Sequence, residues 1–439
     1  MNSGSGRAGH SAAVELLAGS ASFAWSNDGR LIRFGWGARR ELADLLDARG
    51  FREVVFVTGR SAVNASWLES TGRPIVRVGI GLVEELAGKL LEQLRGNDLV
   101  AVGGGRVIDC AKAVAAVTGG RCAAVPTTLS GAELTGFHRL PRGYEGARTV
   151  RPELVVWDPE LLASAPPRLL AESAGNALAH ALEALYTRLA TPVATASALL
   201  ATETLACGLE GLAALRAPAA GEPTSVPGAD QDPERGLYTT LASGGLLAGW
   251  ASGEAGIAFH HALCQTLVRV LGSSHAATNA AVLPASAGRA ARYAPTAVDA
   301  WLAALARGSA VLRGEEDAAA MPRAQALSRL RELLAAAGAR PPCELLALAR
   351  QRPLSERVAQ RLRQIAARVQ AHPATTATAF PVSEEDVVAT IRDAADLWLA
   401  YADPADAAGD PEDAANSAHA AASPADAAAD SGTSPPNDR

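Results

Sequence analysis

The stretch AVGGGRVIDCAKAVA, residues 101–115, predicts the fold of the first half of the chain. It begins with a short apolar run, passes through Gly103, Gly104 and Gly105, and continues with apolar residues at helical spacing. A strand that turns through glycines into a helix brings backbone N–H groups and the positive helix end close to a phosphate. Arg106 adds a cation at the turn. An ordinary strand-to-helix turn has the same composition, and the spacing is not the G-x-G-x-x-G dinucleotide fingerprint.

Strands and helices alternate on both sides of this turn. The apolar runs predict strands at 31–35, 53–58, 98–102, 121–125 and 154–157, and helices at 38–48, 83–94 and 107–117. Parallel strands need long crossover connections, which are usually helices. The alternation therefore predicts an α/β domain with a parallel sheet.

The pattern changes after Pro159, where the chain becomes almost entirely helical up to Tyr401. We predict an α/β nucleotide-binding domain over 1–158 and an all-helical metal and substrate domain over 159–402. The remainder, 403–439, is rich in Ala, Asp and Pro and has almost no large apolar residue, which predicts a disordered tail. A ligand is expected in the cleft between the two domains, at the carboxyl ends of the strands.

The composition argues against several classes of protein. A net charge of −6 over 439 residues does not suit a nucleic-acid-binding protein. Five cysteines without a C-x-x-C pair fit free thiols in a reducing compartment. The first residues lack the apolar core of a signal peptide, and the uncharged run at 236–253 is predicted to be a buried core helix. We therefore predict a cytoplasmic protein that has no membrane or nucleic-acid partner.

Two further strand ends carry candidate cofactor contacts. Thr127 and Thr128 follow one strand, where their hydroxyls can bind a nucleotide or simply stabilise a turn. Gly59, Arg60 and Ser61 follow another, at the position where an acidic residue commonly binds the ribose of NAD. A glycine, an arginine and a serine there leave room for a 2′-phosphate, so NADP(H) is favoured over NAD(H).

The helical half contains residues with the chemistry of metal ligands. Asn176 and His180 are four residues apart, so both side chains emerge on one face of a helix. His261 and His275 are fourteen residues apart with a helix end between them, so they can converge on one point. One amide oxygen and three imidazoles suit Fe²⁺ or Zn²⁺, whereas histidines on apolar helices can equally be hydrogen-bonded core residues.

These motifs, in this order, resemble the iron-containing alcohol dehydrogenase superfamily, and within it the maleylacetate reductase-like branch. The matching stretches are FGWG (34–37), VGGGRVIDCAKAVA (102–115), AVPTTLSGAELT (124–135), VVWDPELLASAPPRLLAESAGNALAHALEALY (155–186) and GIAFHHALCQTL (256–267). The resemblance covers roughly residues 31–293 and implies the dehydroquinate synthase-like fold. It also implies a nicotinamide dinucleotide bound by Gly103, Gly104, Gly105, Asp109, Thr127 and Thr128, and a metal bound by Asn176, His180, His261 and His275.

Three positions depart from the family pattern. Arg106 replaces a serine of the glycine motif, and Asn176 replaces an aspartate, which removes the anionic ligand of a metal. Gln265 replaces a histidine near the substrate and cannot act as a general acid at neutral pH. A proton relay must then use His260, a water or the cofactor ribose.

The resemblance implies an NAD(P)-dependent oxidoreductase that transfers hydride between nicotinamide and a carbonyl or alcohol carbon of a small molecule, and we expect a homodimer. A bound metal would polarise the carbonyl; without one, His180, His261 and His275 would donate hydrogen bonds to it. A maleylacetate-type substrate needs cations for two carboxylates. The candidate cations, which can equally form a solvated surface, are Arg139, Arg142, Arg148 and Arg151.

Two other functions remain open from the sequence. The departures at Arg106, Asn176 and Gln265 also suit a catalytically degenerate protein that binds a cofactor or a partner. A dehydroquinate synthase-like cyclase would use the same fold, but it expects a carboxylate ligand at 176 and several basic residues for a phosphate substrate.

Overall fold

The computed structural model describes residues 22–59, 65–94, 96–146, 149–217, 232–313, 321–349 and 355–400. The predicted tail at 403–439, the candidate cofactor residues Arg60 and Ser61, and the candidate cation Arg148 lie outside the described residues.

Seven strands form a single sheet in the order β1-β2-β7-β6-β5-β3-β4. They are β1 (Ser22–Asn27), β2 (Arg30–Gly35), β3 (Val55–Thr58), β4 (Ile75–Arg77), β5 (Leu99–Gly103), β6 (Cys122–Pro126) and β7 (Leu154–Trp157). β1 pairs with β2 in antiparallel fashion, and the other neighbours are parallel. The predicted α/β fold class is confirmed. The sequence pattern did not indicate β1 or β4, because β1 has no fully buried residue and β4 is only three residues long.

The helices of the first half lie on both faces of the sheet. After a 3₁₀ turn at Ala38–Glu41 they are α1 (Leu42–Ala48), α2 (Ala65–Ser70), α3 (Val83–Leu91) and α4 (Gly105–Thr118). One face of the sheet packs against apolar residues of α3 and α4, such as Leu86 and Ile108. The other face packs against α1 and α2, through residues such as Leu46 and Leu68. A sheet covered on both sides explains why its central strands are continuously apolar.

After β7 the described chain is helical apart from one isolated bridge between Thr187 and Thr378. The helices are α5 (Pro159–Leu162), α6 (Pro167–Ala184), α7 (Pro192–Arg216), α8 (Pro233–Ala255), α9 (Phe259–Leu271), α10 (His275–Ala290), α11 (Pro295–Arg313), α12 (Arg323–Ala337), α13 (Cys343–Ala349), α14 (Glu356–Gln370), α15 (Pro373–Ala377) and α16 (Glu384–Leu399). Several begin after a side chain that accepts a backbone N–H, namely Asp158, Thr191, Asp232, Ser274, Ser355 and Ser383. Such caps satisfy donors that the first turn of a helix leaves unpaired.

Asp158 joins the end of the sheet to the start of the helical half. Its fully buried carboxylate accepts the backbone N–H of Gly37 at 2.8 Å and the guanidinium of Arg39 at 2.7 Å. Gly37 has a φ of 77°, a conformation that favours glycine. The FGWG and DPEL motifs therefore have one structural role, because each supplies half of this junction.

The strand order reverses between β3 and β5. From β3 the chain moves outward to β4, and it then returns to the other side of β3 as β5 and continues through β6 to β7. Ligands of open parallel sheets bind at such a reversal, beyond the carboxyl ends of the strands. The glycine turn after β5 and Gly59 after β3 lie on the two sides of this crevice.

One helix, Pro192–Arg216, is long and apolar enough to cross a membrane, and 67% of its apolar window is buried against the rest of the protein. Burial on this scale is expected of a core helix. The run 236–253, which we predicted to be a buried core helix, lies within α8 and is mostly buried.

Glu133 is a buried acid in the segment after β6. Neither of its carboxylate oxygens has a hydrogen-bond partner among the described residues, and burial raises the pKa of Glu133 from 4.5 to about 7. The folded protein therefore holds a proton that the unfolded chain releases above pH 4.5. Stability should fall as the pH rises from about 4.5 to about 7, by about 3 kcal/mol for this group.

We expect Glu133→Gln to remove most of this pH dependence. The variant should resemble the parent protein at pH 5 and be more stable at pH 8, as measured by denaturant unfolding at both values. Glu92→Gln, at an exposed position, is the matched control. An equal effect of Glu133→Gln at the two pH values would contradict the assignment.

Candidate active site

The predicted glycine turn lies against the threonine loop. The backbone N–H of Thr127 donates to the Gly103 carbonyl at 3.1 Å, which joins the ends of β5 and β6. A Cβ added to Gly104 would lie 3.1 Å from the Thr128 Oγ1 atom, and one added to Gly105 would lie 3.1 Å from the Ser130 Cβ atom. The glycines are thus needed for close approach of the two loops, and the structure brings these candidate cofactor residues together.

The structure adds a basic residue to the β3 side of the crevice. Gly59 faces Val107 of α4, and the Arg77 guanidinium at the end of β4 lies 3.4 Å from the Gly59 carbonyl oxygen. Arg77 is exposed and pairs with Thr58 in the β3–β4 register. No sequence pattern indicated Arg77, because β4 itself was not predicted.

Asp109 and Lys112 of α4 form an ion pair at 3.0 Å. The ammonium of Lys112 is fully buried and also donates to the Ala132 and Phe137 carbonyls. Lys112 therefore anchors the segment after the threonine loop to α4. Asp109 remains half-buried beside the turn, and Arg106 is exposed on the first turn of α4.

The histidine cluster is built from three helices. The rings of His180 on α6 and His261 on α9 stack with centroids 4.1 Å apart and an interplanar angle of 21°. His275 is the first residue of α10 and is exposed. It is close enough to lower the pKa values of both other histidines, after the larger effect of burial. Desolvation by neighbouring residues lowers the pKa of His275, and Asp109 and Arg106 are close enough to affect it, so His275 lies near the first turns of α4.

Three acceptor atoms of this cluster are buried without a hydrogen-bond partner. They are Asn176 Oδ1, His180 Nδ1 and His261 Nε2. Asn176 directs its Nδ2 atom to the Ser130 carbonyl at 3.4 Å, which leaves the amide oxygen free. Buried acceptors are rarely left unpaired, so these atoms fit a cation or a ligand that donates hydrogen bonds. Among the described residues, however, no three His, Cys, Asp or Glu side chains group closely enough for a metal site, so His180, His261 and His275 do not form one by themselves in this arrangement.

Glu183 orients His261, and the sequence analysis missed it. Its fully buried carboxylate accepts the His261 Nδ1–H at 2.6 Å and backbone N–H groups of Ala258, His260 and His261. The Tyr186 hydroxyl also donates to it, at 3.2 Å. With Nδ1 donating, a neutral His261 presents the Nε2 lone pair. Metal-ligating histidines are commonly oriented in this way, by a carboxylate that accepts the N–H of the other ring nitrogen. A glutamate in the apolar run ALEALY, close to His180, was the available signal.

His260 points away from the cluster. Its Nδ1 atom accepts from Ser286 Oγ at 2.7 Å, and its Nε2 atom lies 3.0 Å from Asn279 Oδ1. Burial lowers the pKa of His260 to about 3, so the ring is neutral. The hydrogen bonds and the burial are those of a core histidine.

Two arginines of the candidate carboxylate-binding series have other partners. Arg142 pairs with Glu85 at 3.1 Å, and Arg151 donates to the Gly253 carbonyl at 2.7 Å. Gln265 is half-buried and lies 3.1 Å from His372 Nε2, a residue that the sequence did not single out.

Comparison with known proteins agrees with this arrangement. The family model for iron-containing alcohol dehydrogenase matches residues 30–159, and the model for the C-terminal part of that family matches 170–395. The chain belongs to the iron-containing alcohol dehydrogenase family. This confirms the prediction made from the motifs, and the cyclase alternative has no support from these matches.

Two similar proteins of this family are both named maleylacetate reductase. Maleylacetate reductase 1 of Rhodococcus opacus is 40% identical over 204 residues, which are 44% of this chain and 52% of that protein. Maleylacetate reductase of Sphingobium indicum is 30% identical over 314 residues, 68% of this chain and 84% of that one. The match thus spans about half the length of the first relative and most of the second. The predicted maleylacetate reductase-like branch, and with it the class of NAD(P)-dependent oxidoreductases, is confirmed.

Solved structures of the family share the fold. A maleylacetate reductase from Agrobacterium tumefaciens has a TM-score of 0.63 and 25% identity, over 85% of this chain and 98% of that one. An iron-containing alcohol dehydrogenase from Thermotoga maritima has a TM-score of 0.61 and 21% identity, over 83% and 97% of the two chains. The second likeness concerns the fold alone.

We expect Asn176→Asp to raise the affinity for Fe²⁺ or Zn²⁺ more than tenfold. One added negative charge beside a dication contributes more than about 1.4 kcal/mol, which is a factor of ten in affinity. Competition with a chromophoric chelator measures the change on the purified proteins. His372→Asn is the control, because it removes a histidine but none of the three unpaired acceptors. Equal metal affinities of the parent protein and Asn176→Asp would refute the assigned ligand set.

Proposed function

We propose that this chain reduces an unsaturated oxo dicarboxylate of the maleylacetate type with NAD(P)H, in the cleft between the sheet and the helical half. The relatives named above support the substrate class. The observation that carries the proposal is the position of the His180–His261 pair. It lies beside the loop that follows the threonines of the nucleotide crevice, since Ser130 and Gly131 contact Asn176 and His180.

The proposed reaction balances as NAD(P)H plus a proton plus substrate, giving NAD(P)⁺ and the saturated oxo acid. Bound NAD(P)H would supply the hydride, which bonds to the alkene carbon β to the ketone. The electron pair of the double bond moves toward the ketone oxygen as an enolate, and the neighbouring carbon then takes a proton. Stabilising charge on that oxygen is the main task of the protein.

A family metal, where bound, would be held by Asn176 Oδ1, His180 and His261, with His275 as the fourth ligand that the resemblance implies, and would supply a Lewis acid for the ketone oxygen. The histidines suit this role because burial keeps them neutral: it lowers the pKa of His261 to about 3 and that of His180 well below its ordinary value. With its Nδ1–H donated to Glu183, a neutral His261 cannot also donate a hydrogen bond to the substrate. His260 is committed to Ser286 and Asn279, so a water or the cofactor ribose delivers the proton.

An assay of NAD(P)H oxidation with maleylacetate tests the proposal. We expect turnover by the parent protein and a loss of at least a hundredfold in kcat/KM for His261→Gln, a scale typical of removing one electrostatic catalytic group. Gly88→Ala, on a helix surface with no atom within 4 Å of the added Cβ, should leave turnover unchanged. Tight NADPH binding without turnover of maleylacetate or of simple aldehydes and ketones would instead support the degenerate alternative.

The coenzyme is NADP(H) in this proposal. Arg77 lies beside Gly59, the residue that Arg60 and Ser61 follow in the sequence, and it adds a second cation there. We expect Arg77→Ala to weaken NADPH binding about tenfold and NADH binding little, since only the former has a 2′-phosphate. Fluorescence titration measures both. Arg73→Ala is the control, because Arg73 precedes the same strand but pairs with Asp47. An equal loss for both coenzymes would remove Arg77 from the proposal.

A homodimer in the cytoplasm remains the prediction for assembly and location. β1 is an edge strand of the sheet, and its outer edge has no strand partner among the described residues, which is compatible with pairing to a second chain.

A further inference from the structure

Gln265 lies on α9, one helical turn beyond His261. The two residues are four positions apart on α9, so their side chains share a face. His372, the residue before α15, reaches Gln265 from another part of the chain, with its Nε2 atom 3.1 Å from Gln265 Oε1. His372 is also close enough to His261 to affect its pKa. Gln265 on α9 is therefore paired with a histidine from a distant part of the chain.

A backbone amide fixes the direction of this hydrogen bond. The N–H of Ala374 donates to His372 Nδ1 at 3.1 Å, so that nitrogen carries a lone pair. The proton of a neutral imidazole must then be on Nε2, which donates to the Gln265 oxygen. His372 therefore occupies the Gln265 oxygen, and the NH₂ group is the other polar end of the side chain. That group makes no hydrogen bond to any described residue, and the side chain is only half-buried.

We propose that Gln265 binds a carboxylate of the substrate through its amide N–H groups, and that His372 is a positioning residue that fixes the amide in that orientation. This inference rests on the proposed function, and it names a residue for the substrate's second charged end.

The spacing along α9 favours a carboxylate over the reacting ketone. Four residues advance a helix by about 6 Å. An oxygen bound at Gln265 is thus displaced by about that distance from one held near His261. In an oxo dicarboxylate of the maleylacetate type the carboxylate oxygens lie three and four bonds from the ketone carbon, which suits this separation. An amide also donates in the same way at every pH, whereas a histidine would donate differently in its two protonation states.

Binding of an inert dicarboxylate tests the inference without relying on turnover. Adipate is titrated by calorimetry into the full-length protein saturated with NADP⁺. We expect Gln265→Ala to weaken adipate binding by about tenfold to a hundredfold, the scale of a hydrogen bond to a charged group. Gln265→Glu should weaken it further by repulsion. The methyl diester of adipate, which lacks the charges, should bind the parent and variant proteins equally.

Two variants of His372 separate positioning from folding. Asn is a good helix cap, so His372→Asn keeps an acceptor for the Ala374 N–H but is too short to reach Gln265. We expect it to weaken adipate binding nearly as much as Gln265→Ala, with an unchanged melting temperature. The double variant with Gln265→Ala should be no worse than Gln265→Ala alone, because both changes remove one interaction.

A gain of pH dependence provides an independent readout. Gln265→His should make adipate bind more tightly below about pH 6.5, where the imidazole is charged, than at pH 8, whereas the parent protein shows no such step from this position. Equal adipate affinities of the parent, Gln265→Ala and His372→Asn proteins, or no adipate binding by the parent, would overturn the inference. Adipate binding that depends on Gln265 in a protein that does not reduce maleylacetate would overturn the proposed function and leave this inference standing.

Discussion

The buried carboxylate of Glu183 holds the helical half of the site together. It has no exposed surface, and it accepts three backbone N–H groups from the start of α9, the Nδ1–H of His261 and the Tyr186 hydroxyl. Burial raises its pKa, and the surrounding donors oppose this by stabilising the charged form. A buried charge is tolerated only with such partners. Because α6 carries Glu183 together with Asn176 and His180, this one carboxylate fixes two helices relative to each other and sets the tautomer of His261.

The nucleotide half is attached to this framework by the loop after β6. The backbone N–H of Leu129 donates to Ser173 on α6 at 2.8 Å, and the loop also packs on α8. Three glycines of α8, at every fourth position, allow the contact, because added Cβ atoms would lie within 3.0 Å of the loop: Gly245, Gly249 and Gly253. The loop that begins with Thr127 and Thr128 therefore ends against α6, which carries Asn176 and His180, and against α8.

Features that depend on a local sequence pattern could be predicted from the sequence alone. The parallel strands, the glycine turn and the separation of Asn176 from His180 follow from periodicities of two and 3.6 residues, and the family motifs supplied the rest of the site. Contacts between distant segments were not predictable in this way. Glu183 was visible only as a polar residue in an apolar helix, and His372 lies more than a hundred positions from Gln265. Arg77 was missed because a three-residue strand is too short to show alternation.

The three departures from the family pattern change the site in a consistent physical direction. Replacing aspartate by Asn176 and serine by Arg106 each adds one positive unit to the cleft, while Gln265 is neutral at every pH. A dianionic substrate is attracted by such a change, and a metal cation is held less tightly, so the two effects oppose each other at Asn176. A site that had merely lost its function would have no reason to support the replaced side chains. Here Asn176 is held by the Ser130 carbonyl, Arg106 lies beside His275, and Gln265 is oriented by a histidine whose own tautomer is set by a backbone amide. The structural support around these residues argues for a modified specificity rather than for decay.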